Sequence, residues 1–108
     1  MKAKPLKRTD TGYVGCSIEE VELVQLNIPG PISTRIIPVI LSGPRKGTGN
    51  WSWNGDVDKP TLKPSILTDN GEGGIRCHSF VNDGMVKFLA DCSHEFAGQT
   101  LPLFDVDS

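Results

Sequence analysis

Apolar residues along this chain fall in short runs broken by Gly, Pro, Asn and Asp, a pattern of strands and turns rather than helices. The run from Val21 to Ile28 alternates at its end through Val24, Leu26 and Ile28 and stops at Pro29-Gly30-Pro31. A strand is expected there, although Ser17 followed by Glu20 resembles a capping box and offers a short helix as a rival. RIIPVIL, residues 35 to 41, is rich in β-branched residues, and Pro38 places it at a sheet edge or a bulge. SGPRKGTGN, residues 42 to 50, is a surface loop that lacks the P-loop pattern. In NWSWNGD, Trp51 and Trp53 share a strand face and Asn54-Gly55 signals a turn. Pro60 and Pro64 then imply an extended, irregular connection that becomes a strand near residues 65 to 68. Residues 100 to 106, TLPLFDV, supply a last strand.

The clearest pattern lies between Ile75 and Cys92: IRCHSFV, then Asn82-Asp83-Gly84, then MVKFLADC. Asp-Gly is a favoured two-residue hairpin loop. With that loop, facing residues sum to 167, so Asn82 opposes Met85 and Cys77 opposes Ala90. One face then carries Ile75, Cys77, Ser79, Val81, Val86, Phe88, Ala90 and Cys92, coherently apolar. The other carries Arg76, His78, Phe80, Asn82, Met85, Lys87, Leu89 and Asp91. A three-residue loop would mix these sets, so the two-residue loop is preferred.

A chain of 108 residues is one domain. Its 12 Gly and 8 Pro imply abundant turns, and 37% apolar content implies a modest core. The fold class expected is mostly β: one small antiparallel sheet or sandwich with a central hairpin at about 75–92 and little helix. Residues 1–10, with Lys2, Lys4, Lys7 and Arg8 ahead of any apolar pattern, read as a basic flexible arm before a β-rich domain at 11–108. A net charge of −2 gives no general case for nucleic acid, and no apolar run is long enough for a membrane span. Three cysteines without an export signal point to a reducing, cytoplasmic setting.

Both histidines and two of the three cysteines fall in CHSFVNDGMVKFLADCSH, residues 77 to 94. The register makes Cys77 and Cys92 diagonal neighbours on the buried face, with His94 two positions on and His78 turned away. Zinc takes four ligands, with sulfur at about 2.3 Å and imidazole nitrogen at about 2.0 Å. Cys77, Cys92 and His94 supply three. Cys16 is the first choice for the fourth, with a displaced His78 or water as the alternatives. Buried thiols without a role are the main rival reading, and a disulfide the least favoured.

WSWNGDVDKPTLKPSIL followed by CHSFVNDGMVKFLADCSHEFAGQTLPL resembles a small family common in tailed phages and prophages, whose members often carry the label "ammonia monooxygenase". The resemblance covers about residues 50 to 103 and implies a phage origin and a zinc-associated β domain. Many members carry an N-terminal C-P-x-C element followed by a histidine, where this chain has YVGCSIEEV with Cys16 alone.

These observations favour a binding protein over an enzyme: a phage-encoded, zinc-associated factor acting on a host protein or a small molecule, in host takeover or anti-defence. Trp51, Trp53, Asn54 and Asp56 are its candidate ligand-binding residues, and a homo-oligomer is compatible with the pattern. One alternative is a metal-dependent hydrolase with a zinc-bound water at Cys77, Cys92 and His94 and Asp91, Glu95 or Asp56 as general base. The other is a nucleic-acid accessory protein using the basic segment and the tryptophan pair.

Overall fold

The computed structural model describes residues 1–30, 33–41, 50–69, 76–93 and 95–106. Its elements in chain order are β1 (Ala3–Thr9), β2 (Gly12–Gly15), a 3₁₀ turn (Ile18–Glu20), β3 (Leu23–Asn27), β4 (Thr34–Leu41), β5 (Trp51–Trp53), β6 (Leu62–Asp69), β7 (Arg76–Asn82), β8 (Met85–Phe88) and β9 (Thr100–Pro102). They form one sheet in the order β2-β1-β3-β4-β5-β6-β7-β8-β9. The mostly β class expected from the sequence is therefore observed. One pairing departs from the antiparallel rule, since β4 and β5 run parallel through Val39–Trp51 to Leu41–Trp53.

Pro38 sits inside the sheet rather than at its edge. It is tolerated because β4 changes partner there: residues 34 to 38 pair with β3, and residues 39 to 41 with β5. A missing N–H costs least where one ladder ends and another begins. The capping-box alternative also resolves: Ser17 makes no side-chain cap, and only a single 3₁₀ turn precedes the strand.

The basic N-terminus is not an arm. Residues 3 to 9 are β1, flanked on both sides by β2 and β3. Ala3, Pro5 and Leu6 are buried, while Lys4 and Lys7 stay partly exposed. Too few apolar residues lie among the lysines to show in composition, yet those few face inward and the long lysine stems reach solvent. Main-chain bonds from Lys2 and Ala3 to the Val57 carbonyl, and from Val106 to that of Met1, tie this strand to later parts of the chain.

An isolated antiparallel bridge from Asn27 to Phe104 brings the last residue of β3 against the chain that follows β9. The inward faces thus meet in one core: Ala3, Val24, Leu26, Ile37 and Val39 from one part, Trp53, Leu62, Ile66, Val81, Val86 and Phe88 from the other.

The hairpin register is as the sequence predicts, with Asn82 opposite Met85 and Ser79 opposite Phe88. Asp83 and Gly84 take φ of 55° and 79°, the left-handed pair that a two-residue type I′ turn requires. The hairpin is shorter than predicted, because β8 stops at Phe88 and the chain turns through Ala90-Asp91 before Cys92. Cys77 therefore does not pair with Ala90.

Candidate active site

The turn that ends β8 decides the chemistry. With the ladder broken, the 89–93 segment returns to β7 by a mixture of main-chain and side-chain bonds. The Leu89 and Ser93 N–H groups donate to the carbonyls of His78 and Arg76. Ser93 Oγ accepts the Arg76 N–H at 2.7 Å. Cys92 Sγ accepts the His78 N–H at 3.1 Å and donates back to the His78 carbonyl at 3.0 Å. Cys92 thus faces inward onto the His78 main chain, and its neighbour Asp91 faces outward onto the His78 ring.

A second irregularity sits on the opposite flank of β7. The β6–β7 ladder runs from Leu62–Val81 to Ile66–Ser79, four steps on β6 against two on β7. The extra residues at 63 to 65 form a bulge that re-aims Ser65, a common device beside active sites. Ser65 Oγ lies 3.0 Å from His78 Nε2, and His78 Nδ1 lies 3.2 Å from Asp91 Oδ2. Three side chains from a bulge, a strand and a turn form one line on the outer face of the sheet.

The protonation pattern follows from the partners. The hydrogen bond with His78 holds the Asp91 carboxyl below the ordinary carboxylate range, and the charges of His78 and Arg76 act in the same direction. An ionised carboxylate only accepts, so Nδ1 carries a proton, and in the neutral ring Nε2 is left to accept from the Ser65 hydroxyl. Arg76 Nη2 lies 3.2 Å from the same Asp91 oxygen and orients it from the other side. Serine, histidine and aspartate so arranged can serve as a nucleophile, a general base and the group that orients the base.

Trp51 supports the nucleophile. Its indole N–H donates to the Ser65 carbonyl at 3.2 Å, fixing the main chain at the bulge. Trp53 is buried in the core, and its N–H donates to the Asp56 carbonyl. Asn54 and Asp56 bind the loop's own backbone: Asn54 Oδ1 accepts from Asp56 and Thr61, and Asp56 Oδ1 accepts from Asp58 and Lys59. Those backbone bonds also hold the Asp56 carboxyl low. Of the four residues expected to bind a ligand, Trp53 and Asn54 line a cleft of about 520 Å³, while Trp51 serves Ser65.

Of the described residues expected around zinc, two lie together and Cys16 lies apart. Cys77 and Cys92 are buried neighbours, and all three cysteines are free thiols. Burial pushes the Cys77 thiol up, against the pull of the Arg35 guanidinium. Cys16 lies beyond β2, its N–H on the Pro5 carbonyl and its thiol raised by burial and then by Glu20. The structure does not bring it to the other two. His94 lies outside the described residues, as do residues 42 to 49. Among the described residues, no three of His, Cys, Asp and Glu gather where they could hold an ion.

His78 was placed on the outer face by register, and Asp91 was a candidate general base, but Ser65 carried no signal of its own in the sequence. The nearest one was Pro64 just before it, which hints at an irregular strand without saying where its next side chain points. Ser, His and Asp occur here in that chain order, which differs from the orders of the chymotrypsin, subtilisin and α/β-hydrolase folds. Geometry alone identifies the set.

No helix among the described residues is long and apolar enough to cross a membrane. No curated protein and no solved structure matches the chain. A family model described as "Bacterial ubiquitination-like system serine protease (BubE)" matches residues 33–89, over half of the chain, and takes in Ser65 and His78 with Asp91 just beyond its end. The chain belongs to the BubE family.

Proposed function

We propose that this protein is a serine peptidase of a bacterial ubiquitination-like system, with Ser65 as nucleophile, His78 as general base and Asp91 as the residue that orients it. The observation that carries the reading is the continuous pair of contacts, Ser65 Oγ to His78 Nε2 at 3.0 Å and His78 Nδ1 to Asp91 Oδ2 at 3.2 Å. The description of the family supports it independently. In the reaction, Ser65 Oγ attacks the scissile carbonyl carbon as His78 Nε2 takes the hydroxyl proton. The tetrahedral adduct collapses, and His78 gives that proton to the departing amine. Water then repeats the sequence on the acyl-enzyme, losing a proton to His78 and releasing the acid and free Ser65. Asp91 stays ionised and stabilises the imidazolium formed in each half.

A fluorophosphonate probe, with the modified residue mapped by mass spectrometry, tests the assignment. Label is expected on Ser65, none on the Ser65→Ala variant, and peptide-bond cleavage is expected to fall about 10³-fold or more in that variant. A chelator should leave both readouts unchanged. Cleavage that survives Ser65→Ala but stops with chelator would instead favour a zinc-bound water as nucleophile.

A further inference from the structure

The bulge that aims Ser65 also parts β6 from β7 and opens a cleft of about 560 Å³ on the outer face. Its walls include Thr61, Lys63 and Pro64 on one side and Phe80 and Asn82 on the other. Pro64 is bonded to Ser65, and Phe80 is two residues from His78 on the same face of β7. The cleft therefore lies beside Ser65 and His78, lined by their chain neighbours.

Its chemistry is mainly apolar. Phe80 in its wall is 44% exposed, and outside the cleft Leu67, the ladder partner of His78, is 50% exposed. Two large apolar side chains thus bracket the general base without cover, where exposed apolar surface marks a place to be covered by a ligand. Among the described residues lining the cleft, Lys63 carries the one charge. A basic residue would meet repulsion there, and an acidic flank would not.

We infer that the cleft between Pro64 and Phe80 is a substrate side-chain pocket, taking a large apolar residue of an extended peptide next to the bond that Ser65 attacks. The inference rests on the peptidase reading. The bulge couples the two functions, because the same extra residues present Ser65 to His78 and leave room beside Phe80 for the side chain of a bound strand.

Internally quenched peptides with Phe, Leu, Ala, Gly, Lys or Glu at each position beside the cleaved bond test it, with fluorophosphonate labelling of Ser65 run in parallel. At one position, Phe or Leu is expected to exceed Gly and Lys by about tenfold or more in kcat/KM. Phe80→Ala should reduce that preference to about threefold or less, and Phe80→Leu should restore it. Tyr13→Ala, an exposed change on β2, should leave it as in the wild type. A protein whose Ser65 takes the label but shows no side-chain preference, or keeps the preference in Phe80→Ala, overturns the pocket and leaves the peptidase intact. If Ser65 takes no label, the peptidase reading fails first and the pocket falls with it.

Discussion

At the scale of single residues, the outcome turns on which partner each polar group finds. His78 could have met sulfur or a metal ion, but it meets a hydroxyl on one nitrogen and a carboxylate on the other. Asp91→Asn retains shape but can donate to Nδ1, which favours the wrong tautomer. It is expected to lower kcat by about 10³- to 10⁴-fold with little change in KM, as steady-state kinetics would read. Its effect on stability has a defined pH window. The Asp91 carboxyl is held low in the folded protein, so its stabilising contribution is full above the unfolded value of about 3.9 and is lost as pH falls through the folded value. The difference in melting temperature between wild type and Asp91→Asn should therefore shrink as pH falls below about pH 4. A difference that persisted unchanged well below about pH 3 would assign the effect to another group.

At the scale of elements, two breaks in regular pairing assemble the site: the β6 bulge and the early end of β8. The sequence shows the cause of the first in Pro64 and gives no direct sign of the second, because FLADC continues the strand alternation through Cys92. What ends β8 is the set of bonds that residues 89 to 93 make back to β7, a tertiary contact. Trp51 links the elements, with β5 holding the bulge of β6 through the indole N–H on the Ser65 carbonyl. Trp51→Phe keeps the half-buried ring and removes that one donor. Cleavage kinetics should show kcat lowered about tenfold with KM nearly unchanged, since small displacements of a nucleophile are costly. The melting temperature should fall by only a few degrees, as for one lost hydrogen bond. An equal loss in Trp51→Phe of fluorophosphonate labelling and of folded protein would mean that the residue serves stability alone.

Across the whole molecule, the core forms only because the two halves of the sheet face each other, and the chain around β1 is central to that. Leu6 is buried between the lysines of a segment that composition alone assigns to solvent. Leu6→Ala is expected to lower stability by about 2–5 kcal/mol, read from the urea midpoint. A change near zero would restore the picture of a dispensable N-terminal arm.

The sequence by itself determined the β class, the position and two-residue turn of the central hairpin, and the outward direction of His78. All three follow from local rules, since side-chain alternation and turn chemistry act over a few residues. It also drew attention to the cysteines and histidines, because those residue types cluster in the chain. Tertiary structure decided what they do. Cys92 supports the main chain of His78, Cys16 stays at a distant part of the sheet, and the His78 ring pairs with Ser65 and Asp91. A bulge and a broken ladder move side chains by register, and register between strands is fixed by contacts that no single stretch of sequence contains.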